Sequence, residues 1–180
     1  MLIDYSNSCD FREDKKNHHH VEKGKYNMYS MGVLFCSKII LDFEHSKVLT
    51  PIGFGATLED KEDSNTYFRV DDPSCKAKHT PNHLEKLYTS FLPKIKPTEK
   101  NLVAPVLMDI LPMINQISKD YKQRYFILSI FTEGRIDDFE EVKNLVVKFC
   151  ELPITFLFVG IGDGDFKDIM SLDTDFLVDS

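Results

Sequence analysis

Between Tyr125 and Phe166 the chain reads YFILSIFTEGRIDDFEEVKNLVVKFCELPITFLFVGIGDGDF, and this stretch leaves few folds open. Tyr125–Phe131 is almost wholly apolar and ends at Thr132-Glu133-Gly134. Phe139, Val142, Leu145, Val146 and Phe149 then recur at helical spacing, which makes one face of a helix apolar. Asp138, with Glu141 three residues on, reads as the cap that starts this helix. Pro153 follows its end, and Ile154–Ile161 is a second apolar run stopped by Gly162-Asp163-Gly164. Two short strands, apolar on both faces and joined by an amphipathic helix, form a parallel βαβ unit that must be covered on both sides.

The remaining sequence is compatible with one domain built around that unit. A chain of 180 residues with 42% hydrophobic and 28% charged residues is ordinary for a globular fold. No apolar run approaches the roughly 20 residues that span a bilayer, and no signal-peptide pattern opens the chain. Cys9, Cys36, Cys75 and Cys150 are scattered without paired spacing, which favours reduced thiols in an intracellular, cytoplasmic protein over a disulfide framework or zinc site. A net charge of −7 with no basic stripe argues against nucleic acid as a partner.

Taken in order, the chain continues the alternation. Met1–Ile3 is a short strand leading into Asp4-Tyr5-Ser6-Asn7-Ser8, and Asp, Ser and Asn are common turn residues. The same pattern has a second use: a carboxylate and two hydroxyls on one loop offer hard oxygen ligands to Mg²⁺ or a similar cation. At the carboxyl end of a central strand, that loop lies where open α/β sheets bind ligands. Cys9–Lys25, with His18-His19-His20 inside it, reads as a solvated insertion, because no acidic or cysteine partner sits at ligand spacing. Tyr26–His45 is an apolar helix whose stripe Met28, Met31, Phe35, Ile39, widened by Leu34, Leu41 and Phe43, is expected to face the core.

Lys47–Ala56 is the next strand; its Gly53-Phe54-Gly55 lacks the third glycine and following helix of a dinucleotide fingerprint. The charged run Leu58–Asn65 is a turn, and Thr66–Val70 is a short antiparallel edge strand. Thr80-Pro81 caps and opens a helix with Leu84, Leu87, Tyr88, Phe91 and Leu92 on its buried face. Lys94–Lys100 is a polar loop. Asn101–Tyr121 is another apolar helix, with Val103, Val106, Ile110, Ile114 and Ile117 inward and Pro112 expected to bend it. Phe166–Leu172 makes a short helix, and the acidic residues Asp163, Asp165, Asp168, Asp173 and Asp175 lack the spacing of an EF-hand loop.

Several of these segments, in this order, carry a family resemblance: Asp4–Ser8, Gly53-Phe54-Gly55-Ala56, Leu92-Pro93, Thr132–Ile136, Leu152-Pro153, Val159–Gly162 and Asp165-Phe166. Together they resemble a copine-type von Willebrand A domain over nearly the whole chain. The resemblance implies a doubly wound, mostly parallel α/β sheet with helices on both faces and one antiparallel edge strand. It also implies a Mg²⁺ or Mn²⁺ ion in a metal-ion-dependent adhesion site, where an acidic side chain of a partner protein fills an open position.

Asp4, Ser6 and Ser8 match the first motif of that site. The second contribution is a threonine in the loop after Leu92-Pro93, where counting forward gives Asn101, with Thr98 three residues earlier; either offers an oxygen. The third is the aspartate of Thr-Asp-Gly, which here is Glu133, one methylene longer, so that retained, weakened and lost cation binding are all open. The family's tandem calcium-dependent lipid-binding domains are not in this sequence, so membrane association is expected only through a longer form. The first strand is short, and the last strand and helix are expected to be absent or reduced to Phe176–Val178.

The functional expectation is a non-catalytic, intracellular protein-interaction module whose contact face is the rim of that site. The competing expectation, a Mg²⁺-dependent phosphoryl-transfer or hydrolytic enzyme, needs a positioned base and cationic groups, and the sequence places no histidine in the site loops. A degenerate product without an independent role is the third, and a flavodoxin-like fold would need a phosphate loop at Asp4–Ser8.

Overall fold

A computed structural model describes residues 1–8, 11–59, 67–71, 78–120 and 124–172. The βαβ unit forms as the apolar pattern requires: β6 (Phe126–Thr132), α4 (Phe139–Phe149) and β7 (Ile154–Gly160), with the two strands parallel over seven registered pairs from Phe126↔Ile154 to Thr132↔Gly160. On the other side of β6 lies β1 (Leu2–Asp4), itself parallel to β2 (Ile52–Phe54). An antiparallel edge strand, β4 (Tyr67–Arg69), completes a five-stranded sheet of order β4-β2-β1-β6-β7. The architecture is the doubly wound, mostly parallel von Willebrand A-like sheet that the sequence led us to expect.

Alternation along β1 divides the core between the two faces of the sheet. Leu2 joins Leu128 and Ile130 under α4 and α3 (Ala104–Asp120), which supply Val142, Leu145, Phe149, Val106, Leu107 and Ile114. Ile3 and Tyr5 join Phe131 and Ile161 on the opposite face, beneath α1 (Met28–Phe43) and α2 (Pro81–Phe91). The Thr80 hydroxyl accepts the His83 N–H at 3.2 Å, the cap that Thr80-Pro81 announced. The last helix, α5 (Lys167–Met170), is shorter than expected, although Phe166 and Leu172 still pack on the core. Pro112 lies within α3, which runs through it to Asp120.

Expectations need correction at four places. The strand expected over Lys47–Ala56 is two strands, β2 and β3 (Ala56–Leu58), separated at Gly55, whose φ of +73° turns the chain out of the main sheet. β3 pairs antiparallel with β5 (Ile95–Pro97), which lies inside the segment Lys94–Lys100 expected to be a loop. One buried apolar residue, Ile95, is too little alternation for sequence periodicity to register.

The apolar stripe of α1 is the second correction. Met28, Met31, Phe35, Ile39 and Phe43 are all exposed, Phe35 to 65% and Phe43 to 81%. The helix instead buries Tyr29, Ser30, Val33 and Ser37, and of the residues expected inward only Leu41. Packing favoured the face that approaches most closely: a Cβ on Gly32 would lie 3.2 Å from the Phe131 ring, and the Ser30 hydroxyl donates to Glu85 of α2 at 2.8 Å. Two small serines on the buried face lower its hydrophobicity but allow that approach.

Third, the insertion is not wholly solvated. His19 is fully buried, its ring stacked 4.0 Å from that of Tyr29, and its Nδ1 lies 2.7 Å from the Tyr88 hydroxyl. Fourth, Asp138 precedes α4 but makes no side-chain cap bond there; its carboxylate accepts the N–H groups of Val103 at 3.1 Å and Ala104 at 2.8 Å, capping α3. The expected turn at Leu58–Asn65, the segment from Asp72 to Cys75, the remnant Phe176–Val178, and Cys9, Asp173 and Asp175 lie wholly or largely outside the described residues.

Candidate functional site

Because β1, β2 and β6 run parallel, their carboxyl ends bring Asp4, Gly55 and Thr132 to the same edge of the sheet. Asp4 is the centre of this edge, only 1% exposed. Its Oδ1 accepts the Ser6 N–H at 2.9 Å, and its Oδ2 accepts Asn101 Nδ2 at 2.9 Å and the Thr132 hydroxyl at 2.8 Å. Burial pushes its pKa up, opposed by the bonds from Ser6, Thr132 and Asn101. All of these direct partners are neutral, so nothing bonded to the carboxylate offsets its charge.

Asn101 is fully buried in the loop before α3. Its backbone N–H donates to Asp137 Oδ2 at 2.7 Å, and its Nδ2 also donates to the Arg135 carbonyl at 2.7 Å. The Asn101 Oδ1 accepts no hydrogen bond and fills the space that a Cβ on Gly55 would occupy, 2.6 Å from it. Thr98 is committed within its own loop, donating from Oγ1 to the Lys100 carbonyl at 2.8 Å. The structure therefore brings Asn101 to Asp4 and keeps the Thr98 hydroxyl on a loop bond. Ser8 is buried with an unpartnered Oγ, while Ser6 meets Asp4 through both its backbone N–H and its side chain and lies against Gly55.

Glu133 is turned toward the insertion. Its Oε2 accepts Asn7 Nδ2 at 2.8 Å; its Oε1 lies 3.3 Å from His18 Nδ1, yet makes no hydrogen bond. The pair is close but not aligned as donor and acceptor, so proximity rather than a formed bond describes it. Beside it, the Tyr29 hydroxyl is buried; burial first, then the charges of Asp4 and Glu133 and a hydrogen-bonding interaction with Glu133, hold its pKa far above the ordinary tyrosine value. The sequence reading kept histidine out of this region, and His18 corrects it.

A hard cation fits these residues on one observation. The Asn101 Oδ1 is a buried acceptor without a donor, on a side chain that bonds the buried Asp4 carboxylate, and the Ser8 Oγ is buried without a partner in the loop that follows Asp4. Such orphaned groups are rare in folded proteins and are commonly satisfied by an ion or water. Among the described residues no three of His, Cys, Asp and Glu cluster at metal-holding distance, so any such ion depends on hydroxyl and amide oxygens.

Sequence reasoning missed Thr132, Asp137, Asp138 and Arg135 as builders of this edge. Thr132 was visible in the Thr-Glu-Gly motif; the others had no local signal, because their partners are more than 30 residues away in sequence. Asp138→Ala is expected to cost about 1–2 kcal/mol, the usual loss of a helix cap, as a lowered urea midpoint with unchanged slope.

Among the described residues, no helix is long and apolar enough to cross a membrane. A family profile described as Copine matches residues 17–180. Protein BONZAI 1 of Arabidopsis thaliana is 26% identical over 158 residues, which cover 87% of this chain and 27% of that relative. That profile covers most of the chain. The chain belongs to the copine family.

Proposed function

We propose that this chain is a copine-like protein-interaction module rather than an enzyme, and that its contact face is the rim around Asp4. Asp4, Ser6, Ser8 and Asn101 would hold a Mg²⁺ or Mn²⁺ ion, with Glu133 at the rim; Thr98 is the less favoured oxygen. A bound cation would supply an open coordination position for an acidic side chain of an intracellular partner protein. The observation that carries this reading is the buried, unpartnered Asn101 Oδ1 on the side chain that bonds the buried Asp4 carboxylate, with the Ser8 Oγ also unpartnered in the loop after Asp4.

The chain spans about a quarter of the relative it matches, 27% of its length. Calcium-dependent phospholipid binding and peripheral membrane location enter this proposal only as properties of a longer form.

Calorimetric titration with Mg²⁺ and Mn²⁺ tests the site. Saturable binding is expected in the wild type, with at least a tenfold loss in Asp4→Ala, about 1.4 kcal/mol or more. Folding of both proteins is checked by circular dichroism. A well-folded wild type that binds neither ion would overturn the metal-dependent part of the proposal.

A further inference from the structure

The segment from Phe11 to Lys25 is tied down along its length. Asn17 Nδ2 donates to the Asn7 carbonyl at 2.8 Å, which joins it to the loop that follows Asp4. Asn27 Nδ2 donates to the carbonyl of the buried His19 at 3.0 Å, and the Val21 N–H donates to the Phe11 carbonyl at 3.1 Å. The His18 ring is seated against Gly162, where a Cβ would collide with it, and its Nδ1 stands 3.3 Å from Glu133 at the rim.

Between this segment and the start of α1 lies an open pocket of about 260 Å³. Lys15, Lys16, Lys25, His18 and His20 line one side of it, and the exposed Tyr26, Met28 and Met31 give it an apolar flank. Glu22 is the carboxylate in the lining, and it is engaged: Lys25 Nζ donates to both of its oxygens at 3.0 Å. Among the described residues, neither Lys15 nor Lys16 has a carboxylate within ion-pair distance.

Two ammonium groups without an ion-pair partner thus share one concave surface, on a chain whose net charge is −7. Such a surface complements a compact dianion: a phosphate monoester carries a charge of about −1.5 to −2, and lysine binds phosphate as a point charge. The apolar flank suits a neighbouring side chain of a peptide. A membrane is a poorer fit, because anionic lipid surfaces are held by clustered basic segments, and this acidic chain has no basic stripe.

We propose that this pocket is a second recognition subsite beside the Asp4 rim, which takes a phosphorylated side chain of the partner protein through Lys15 and Lys16. The subsite deepens the interaction reading and rests on it for its place in a partner contact; binding of the anion itself needs no cation at Asp4.

The test uses the full chain free of divalent ions, with blocked phosphoserine (N-acetyl-O-phosphoserine amide) as the probe and backbone ¹⁵N NMR as the readout. Saturable shifts are expected among residues 15–31, with affinity at least tenfold weaker in Lys15→Gln/Lys16→Gln. The charge-matched Lys96→Gln/Lys148→Gln, also at exposed positions, should bind like wild type. Circular dichroism confirms that each variant is folded. No saturable binding by wild type would overturn the proposal, and that readout depends on no variant. Equal weakening in the two double variants would assign the effect to overall charge and overturn it too. Blocked glutamate bound as tightly as phosphoserine would overturn the phosphate assignment. Retention on vesicles of phosphatidylcholine and phosphatidic acid, lost in Lys15→Gln/Lys16→Gln, would make the ligand a membrane and overturn the peptide reading. Phosphoserine binding by a protein that binds no Mg²⁺ or Mn²⁺ would support the subsite and remove the cation reading. Mg²⁺ binding that requires Asp4, without phosphoserine binding, would remove only the subsite.

Discussion

Substituting His19→Ala is expected to lower the unfolding free energy by about 3 kcal/mol, the scale of truncating a large buried ring. The ring is fully buried between Tyr29 and the Tyr5 face, and its Nδ1 meets the Tyr88 hydroxyl. The variant leaves a cavity and one fewer partner for Tyr88, and it releases the anchor of residues 11–25. Urea unfolding monitored by circular dichroism measures the loss. A cost within about 0.5 kcal/mol, the range of ordinary surface changes, would mean that the insertion does not enter the core.

The same residue sets a pH dependence. Burial, with a smaller contribution from His18, lowers the His19 pKa from 6.5 to about 3, so the ring stays neutral in the folded chain. The unfolded chain binds a proton here below pH 6.5 and the folded chain does not, so this contribution is complete above pH 6.5. It is lost progressively as the pH falls from 6.5 toward 3. At about 1.4 kcal/mol per pH unit, lowering the pH from 6.5 to 5 removes about 2 kcal/mol. His19→Leu fills most of the space and cannot titrate, so the stability difference between wild type and this variant should shift by that amount over the interval. A parallel pH profile for the two proteins would contradict a buried neutral His19.

Gly55→Ala is expected to remove the cation response and to destabilise the fold together. The φ of +73° at this position costs a residue with a side chain about 1–2 kcal/mol. The added Cβ would also lie 2.6 Å from Asn101 Oδ1 and 2.9 Å from the Ser6 backbone nitrogen. Overpacking of that kind costs about 1–3 kcal/mol more, and relief requires moving either Asn101 or the Asp4–Ser8 loop, both of which build the site. The checks are a thermal melt and the Mg²⁺ titration, with binding at least tenfold weaker than wild type. Unchanged binding would show that Asn101 Oδ1 is not at the ion.

Other features divide in the same way between local and distant causes. Leu2 and Ile3, on opposite faces of β1, explain why a three-residue strand can sit at the centre of the sheet: it is fully buried, and each face belongs to a different core cluster. The exposed stripe of α1 shows the limit of reading hydrophobicity alone. Periodicity identifies a helix with an apolar side, but a helix that carries apolar residues around most of its surface leaves the buried side to be chosen by packing. Here the chosen side is the one where Gly32 meets Phe131.

What the sequence determined by itself is what propagates within one element. The apolar runs of β6 and β7, the 3.6-residue period of α2, α3 and α4, and the Thr80 cap all have causes a few residues long, and each element formed close to where its pattern lies. The Asp4–Ser8 loop and the Thr-Glu-Gly turn were legible as motifs for the same reason. Tertiary structure decided which of these groups meet. Asn101 rather than Thr98 reaches Asp4, Asp138 caps α3 rather than its own helix, and His18 and His19 leave an insertion that looked solvated to touch Glu133 and fill the core. The contacts of Asp138 with Ala104, of Asn101 with Asp4 and of His18 with Glu133 join residues 34, 97 and 115 positions apart, and the hydrogen bond from Thr132 to Asp4 joins residues 128 apart. No local propensity encodes such pairings; they follow from parallel strands delivering distant loops to one edge, where burial makes every unsatisfied polar group costly.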